Sequence, residues 1–129
     1  NKGFQNSFIY YSESMGLMAG IVEEWEQFFE KYDLLVCPMS YGPAYKRCKQ
    51  GTPIHYDGKE FVYLDYAWPF LTCFNASGHP AINIPLGIGK EGLPLGVQVI
   101  GPYWSEQHLI QFAKGVSEFT PGFIRPEGY

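Results

Sequence analysis

The sequence predicts an α/β fold with a few mixed strands, including one hairpin, and helices on their flanks. Apolar residues recur at three- and four-residue steps from Met15 to Tyr32, which is typical of an amphipathic helix. Apolar residues alternate with smaller or polar ones from Ile82 to Ile88, which indicates a strand. The whole order is helix, strand, loop, helix, strand, strand, helix, and that order is typical of α/β proteins.

The first half of the chain is predicted to hold one long helix, one strand and one long loop. Residues 1–12 show no clear period before the helical stripe begins, and the Glu residues of the helix are expected to face solvent. The apolar run from Leu34 to Pro38 indicates a buried strand, which ends at Pro38 because proline lacks the N–H that a sheet needs. Residues 39–60 are rich in Gly, Pro, Tyr and Lys and are predicted to form a long loop.

Next along the chain we expect a broken helix and then a β-hairpin. Residues 61–76 have a helical pattern that Pro69 interrupts, and Gly78 suits the left-handed position that ends a helix. The strand that follows and the one at residues 95–100 are separated by turn residues, so they are expected to pair. Pro85 predicts that the first of these strands lies at an edge or is irregular.

The last part of the chain is predicted to be one helix and an irregular tail. Ser105 is a suitable N-cap residue. Glu106 in the first turn is expected to stabilise the helix by interacting with the positive end of its dipole. Apolar residues at helical spacing continue the helix to Val116. From about residue 120 two Pro and two Gly predict an irregular tail.

Composition argues against several classes of function. With 129 residues, 46% of them hydrophobic, the chain fits one domain or one piece of a larger domain. Its formal charge is −4, and its basic residues cluster only at Lys46, Arg47 and Lys49, so no nucleic-acid surface is predicted. That cluster is interpreted as a solvated loop. No apolar run reaches the roughly 18 residues of a membrane-spanning helix, so no membrane partner is expected.

The cysteines and histidines predict no metal, disulfide or thiol chemistry. Cys37, Cys48 and Cys73 are an odd number without a Cys-x-x-Cys pair, which favours a reducing, cytoplasmic setting. The three histidines match no zinc spacing. Cys73 with His79 would need an activating base for a thiolate nucleophile, and a buried structural cysteine is the favoured interpretation. The chain has no secretory signal and begins at Asn1, so we expect its start to be internal.

Four segments, taken in order, carry a resemblance to a known family. Tyr32–Pro38 contains Asp-Leu-Leu-Val-Cys-Pro, and Trp68–Gly87 contains an aromatic helix, then Asn, then Gly-His-Pro-Ala, then a strand ending Pro-Leu-Gly. Gly92–Gly101 spells Gly-Leu-Pro-Leu-Gly-Val-Gln-Val-Ile-Gly, and the Ser105–Val116 helix follows it. Together these segments resemble the C-terminal part of the amidase-signature family.

The resemblance covers about residues 15–118 and implies that residues 1–129 are a C-terminal segment of an amidase-signature domain. Family members hydrolyse amides with a serine nucleophile, a second serine in a cis peptide that relays the proton, and a lysine base. Backbone N–H groups of a Gly-Ser-Ser-Gly-Gly-like stretch form their oxyanion hole. That stretch does not occur in this sequence, so no catalytic residue is predicted and the chain alone is expected to be inactive.

The family resemblance does imply a wall of the substrate pocket. The helix before Asn75 lines that pocket in the family, and the position seven residues before this Asn, here Trp68, faces substrate in family members of several specificities. An aromatic ring at Trp68 favours an apolar or aryl group. Asp65, one turn earlier, and Thr72 are further substrate-binding candidates. Core packing of Trp68 and Thr72 and a solvated carboxylate at Asp65 remain open as alternatives.

Two functions remain open from the sequence. The favoured one is a parent amidase that acts on linear, small-molecule amides without metal or organic cofactor, in which this chain supplies core and pocket wall. The alternative is a non-catalytic domain that binds a partner or forms a homodimer through the face that a full sheet would cover. Such a face would leave a large apolar patch. Hydrolysis of an amide and transfer of its ammonia are not distinguished by these residues.

Overall fold

The computed structural model describes residues 7–125 and residue 128, and it has the predicted order of elements with one small hairpin added. All strand pairs in the described part are antiparallel. Its helices are α1 (Phe8–Phe29), α2 (Tyr63–Ala67), α3 (Thr72–Ser77) and α4 (Glu106–Ser117). Its strands are β1 (Leu35–Cys37), β2 (Ile54–Tyr56), β3 (Lys59–Phe61), β4 (Ala81–Ile88) and β5 (Pro94–Ile100).

The main sheet has three strands in the order β1-β5-β4, so the last strand of the chain lies at its centre. β4 and β5 form the predicted hairpin, with Ile84 opposite Val97. β4 is an edge strand and its register shifts between Pro85 and Gly87. This arrangement confirms the expectation from Pro85, because a proline at an edge removes no hydrogen bond from the centre of a sheet.

The hydrophobic core lies between this sheet and α4. Its most buried members are Ile84, Val99 and Leu109, and each is at most 3% exposed. Burying a side chain of this size stabilises the fold by about 1.5 to 3 kcal/mol relative to leaving it in water. Partly buried apolar side chains surround these three, namely Leu34, Ile82, Val97, Ala113 and Val116.

The long first helix begins earlier than the apolar stripe indicated. Ser7 caps α1, and its hydroxyl accepts a hydrogen bond from the backbone N–H of Tyr10 at 3.2 Å. The residues before Ser7 lie outside the described part. Among the described residues, no helix combines the length and the apolarity that crossing a bilayer requires.

The prediction of one loop over residues 39–60 was wrong at its C-terminal end. β2 and β3 pair there as a small hairpin, with Tyr56 opposite Lys59. Its two central residues, Asp57 and Gly58, have φ angles of 48° and 71°. Positive φ at both positions is the requirement of a type I′ turn, and Asp-Gly is a preferred pair for it.

The helix broken near Pro69 is confirmed, since α2 and α3 lie on either side of it. α3 ends at Gly78, whose φ of 76° is the predicted left-handed conformation. Ser105 occupies the predicted N-cap position of α4, and its carbonyl accepts from the N–H of Leu109 at 2.9 Å, but its side chain makes no capping hydrogen bond. The hydroxyl of Ser105 donates to Pro102 O at 2.7 Å instead of capping α4.

Candidate functional site

A buried glutamine of the central strand holds the framework of the candidate site. Gln98 is 3% exposed, and its side-chain amide donates to Pro38 O at 3.1 Å and to Phe70 O at 2.6 Å. Both carbonyls belong to irregular segments, and these part-buried hydrogen bonds give them a partner in place of a helix or sheet bond. We call these two hydrogen bonds the Gln98 clamp. The clamp joins β5 to the end of β1 and to the connection between α2 and α3.

The turn between α2 and α3 is further fixed by one backbone carbonyl. Trp68 O accepts from Leu71 N at 2.9 Å, from Thr72 N at 3.0 Å and from Thr72 Oγ1 at 2.9 Å. Because the Thr72 hydroxyl donates its proton to this carbonyl, it can offer a ligand only an acceptor. Hydrogen bonds to Trp68 O and to Phe70 O therefore fix the backbone of the turn that carries these side chains.

The three predicted substrate-binding residues lie on this segment, at the surface of the described chain. Trp68 follows α2 and is 45% exposed, and Thr72 and Asp65 are exposed as well. The Trp68 ring meets the ring of Tyr63 edge-on, with 6.3 Å between centroids. Asp65 lies in the first turn of α2, where a carboxylate interacts favourably with the positive end of the helix dipole. None of the three is packed in this chain's core, and their role toward substrate stays a prediction.

Aromatic rings continue from Trp68 into the interior. The ring of Tyr63 meets that of Tyr45 edge-on, with 6.3 Å between centroids. Tyr45 in turn lies edge-on to Tyr66, with 5.6 Å between centroids. Tyr66 is 2% exposed, and its hydroxyl donates to Pro43 O at 2.7 Å. Burial raises the pKa of the Tyr66 phenol, because the charged phenolate would lose its hydration. Tyr66 therefore stays a neutral donor that anchors the loop after β1.

A cavity of about 700 Å³ lies beside these rings, between residues 43–57 and the turn that joins β4 to β5. Tyr45, Tyr56 and Tyr66 line it, and Ile54 contributes buried apolar surface. The predicted residues Trp68, Thr72 and Asp65 do not line this cavity. Sequence reasoning missed it because residues 39–60 were treated as one loop. The Asp-Gly pair was the signal that a hairpin forms one side of it.

A second group of polar side chains joins α1 and α3 to the turn that precedes α4. His79 Nδ1 lies 2.8 Å from Ser77 Oγ, and His79 Nε2 lies 3.0 Å from Glu26 Oε1. The Tyr103 hydroxyl donates to Ser77 O, and the Tyr103 ring stacks on His79 with 4.3 Å between centroids. Glu26 was expected to lie on the solvated face of the helix, and its side chain is 48% exposed, but it also pairs with His79.

This group contains a carboxylate, an imidazole and a hydroxyl in series, but it is built for structure. Ser77 is 4% and His79 is 6% exposed, so an amide carbonyl has no path to the hydroxyl. Both ring nitrogens of His79 are engaged, which excludes Cys73 as a partner for its imidazole. The group therefore ties the C-terminal half of α1 to the segment that contains Gly78.

The remaining reactive side chains suggest no other chemistry. In residues 7–125, no cluster of three or more His, Cys, Asp or Glu side chains is close enough to hold a metal ion. Burial raises the pKa of the Cys37 thiol, although the nearby side chain of Gln98 acts in the opposite direction. A thiol with a raised pKa is a poor nucleophile at neutral pH.

Comparison with known proteins identifies the family. The sequence profile described as Amidase matches residues 2–110 of the chain. The chain belongs to the amidase family. The Gln98 clamp and the Trp68–Thr72 turn are therefore parts of an amidase domain.

Curated relatives are longer than this amidase chain. A glutamyl-tRNA(Gln) amidotransferase subunit of Thermodesulfovibrio yellowstonii is 34% identical over 112 residues, which are 87% of this chain and 22% of that protein. A glutamyl-tRNA(Gln) amidotransferase subunit of Clostridium acetobutylicum is 32% identical over 110 residues, or 84% of this chain and 21% of that protein. The chain thus spans about a fifth of the length of these relatives.

Solved structures share the fold. A 6-aminohexanoate cyclic dimer hydrolase matches with a TM-score of 0.73 and 24% identity, over 91% of this amidase chain and 26% of its own. A protein from a vestigial complex, described in connection with the origins of an s-triazine catabolic enzyme, matches with a TM-score of 0.74 and 20% identity. That match covers 97% of this chain and 27% of the other. At these identities the likeness concerns the fold alone.

Proposed function

We propose that this chain is a C-terminal part of an amidase that hydrolyses carbon–nitrogen amide bonds, and that it supplies core and one wall of the substrate pocket. The Gln98 clamp is the observation that supports this most, because it holds the segment that presents Trp68. Side chains on such a supported segment are suited to position a ligand. The exposed Trp68 ring offers a face to an apolar or aryl group of a linear amide, with Asp65 and Thr72 beside it.

In this proposal the catalytic residues lie on the part of the domain that the chain does not span. The relatives are several times longer, since the match covers 21% and 22% of them. Ser77, whose hydroxyl lies 2.8 Å from His79 Nδ1, is buried against His79 and Phe74. The proposed enzyme works in the cytoplasm on a small-molecule amide, and neither a metal nor an organic cofactor takes part.

Activity assays on the isolated chain are the first test. The purified 129-residue chain should release no amine from aryl or aliphatic amides. Turnover that survives replacement of every serine in a contaminant-free preparation would contradict the serine mechanism. Because the curated relatives are amidotransferase subunits by name, a parent enzyme should also be assayed on a primary amide with and without an ammonia acceptor. Ammonia released in both cases indicates hydrolysis, and ammonia that is consumed when the acceptor is present indicates transfer.

The pocket wall is tested by Trp68→Ala in a parent polypeptide that contains this chain. We expect KM for an aryl amide to rise about tenfold, which corresponds to about 1.4 kcal/mol of lost binding. Ile110→Ala, on the exposed face of α4, is the matched control and should leave KM unchanged. An unchanged KM in the Trp68 variant, with the fold intact, would remove Trp68 from the site.

A non-catalytic binding or dimerising domain is the second candidate, and one observation favours it. The N-terminal half of α1 exposes large apolar side chains, among them Phe8 at 81% and Leu17 at 74%. Such a surface is typical of an interface. A monomer that binds no hydrophobic dye, measured by sedimentation and fluorescence, would dismiss this function. The upstream coding sequence separates the two candidates, because a Gly-Ser-Ser-Gly-Gly stretch there favours the amidase and a stop codon favours the binding domain.

A further inference from the structure

We propose that the cavity between residues 43–57 and the β4–β5 turn is a binding site for a small organic cation with an aryl or apolar group. At about 700 Å³ its volume falls in the range of small-molecule sites, roughly 300 to 1,000 Å³. Its lining residues do not include Trp68, Thr72 or Asp65.

The aromatic walls favour a cation. Tyr45 and Tyr56 stand nearly perpendicular to Tyr66, at interplanar angles of 87° and 77° and centroid distances of 5.6 and 6.0 Å. The face of an aromatic ring carries partial negative charge. Rings set at steep angles therefore offer an ammonium group several such faces, which is how proteins recognise quaternary ammonium ligands. Ile54, 4% exposed, supplies apolar surface for the rest of the ligand.

The charges at the rim have the matching sign. Asp57 and Glu91 place two carboxylates on the cavity lining against the single ammonium of Lys46. All three are exposed, and in the described residues the ion pairs are formed by other carboxylates, Glu60 and Glu26. His55, also on the lining, pairs with Glu60 at 3.5 Å. Arg47 and Lys49 belong to the same loop but do not line the cavity. Among the lining residues the carboxylates outnumber the ammonium group, which favours a cation over an anion, and the chain as a whole has a formal charge of −4.

The cavity wall is formed before any ligand arrives. Tyr66 holds the start of the loop through its hydroxyl, which donates to Pro43 O at 2.7 Å, and through its carbonyl, which accepts from Tyr41 N at 3.1 Å. Gly42 passes so close that a β-carbon there would lie 2.6 Å from the Tyr66 hydroxyl and 2.7 Å from the Tyr56 ring. A wall that is already ordered spares the ligand the entropy of ordering it.

Titration of the 129-residue chain with three probes of similar shape tests the site. Benzyltrimethylammonium should bind saturably and shift the NMR signals of Tyr45 and Tyr56. It should bind about tenfold or more tightly than benzyl alcohol or benzoate, a difference of about 1.4 kcal/mol. The proposal fails if the cation does not saturate the site, or if the neutral or anionic probe binds as tightly.

Variants that remove charge test whether the carboxylates at the rim contribute to cation binding. Asp57→Asn combined with Glu91→Gln removes both carboxylates while keeping the turn, because Asn-Gly also suits a type I′ hairpin. This double variant should weaken the cation about tenfold and leave benzyl alcohol unaffected. Tyr56→Leu should weaken both probes. Glu24→Gln with Tyr32→Leu, away from the cavity, is the matched control and should bind as the native chain does. Unchanged cation affinity in the double variant would overturn the role of the rim.

Discussion

The two halves of α1 have similar apolar composition and opposite surroundings. In the C-terminal half, Trp25 packs on Phe74 with 4.7 Å between ring centroids, and Glu26 pairs with the buried His79. In the N-terminal half, residues 8–18, the large apolar side chains are 38% to 81% exposed. The chain therefore supplies packing partners for the C-terminal half of this helix and leaves the apolar side chains of its N-terminal half exposed.

This difference shows where the chain's own core ends. A helix that is apolar all round is normally buried on every side, and one that is apolar on a single face lies on a core. Residues 8–18 are apolar on several faces, so one flat partner surface would not cover them. Because the chain spans about a fifth of the relatives' length, the remainder of an amidase domain is the occupant that we favour for this half.

Trp25→Ala should cause the largest loss of stability among the substitutions that compare the two halves of α1. Trp25 is half-buried and touches Phe28, Phe29 and Phe74, so its removal should lower the free energy of unfolding by about 3 kcal/mol. Ile9→Ala, in the same helix but 68% exposed, should change it by less than about 0.5 kcal/mol. Urea unfolding followed by circular dichroism measures both. Equal losses would mean that the two halves do not differ as described.

Gln98→Leu should have the next largest effect, and it acts outside α1. The substitution leaves the carbonyls of Pro38 and Phe70 without their donor, which should cost about 2 kcal/mol of unfolding free energy. Gln107→Leu on the exposed face of α4 is the control and should cost less than about 0.5 kcal/mol. A small loss at Gln98 in the same urea experiment would mean that solvent replaces the clamp.

Much of the fold follows from local sequence signals. The alternation in β4, the turn before β5, Gly78 and the break at Pro69 each depend on a few neighbouring residues, and the structure has them where predicted. The start of α1 was not evident, because Phe8 to Tyr11 has no apolar period and a serine cap is a weak signal alone. The β2–β3 hairpin was missed although Asp57-Gly58 marks it.

The candidate sites were less predictable because they depend on contacts between distant residues. The family resemblance selected Trp68, Thr72 and Asp65, but no local pattern shows that Gln98 reaches Phe70, 28 residues away in sequence. The pair of Glu26 and His79 is 53 residues apart, and a helix-surface glutamate is usually solvated. The tyrosine cavity likewise requires the loop after β1 to fold back on α2.

The smallest stability effect, and the sharpest test of the exposed half of α1, is expected from Leu17→Ser and Phe8→Ser. These residues are nine positions apart, or about two and a half turns, so they lie on opposite sides of the helix. Each variant should change the free energy of unfolding by less than about 0.5 kcal/mol, because Phe8 and Leu17 are 81% and 74% exposed. The ring of Tyr11, with 6.5 Å between centroids, is a neighbour of Phe8 on the same exposed helix. Each should also reduce hydrophobic-dye fluorescence. If self-association in sedimentation is weakened by only one of the two, a second copy covers a single stripe of the helix, and this outcome favours the dimerising domain.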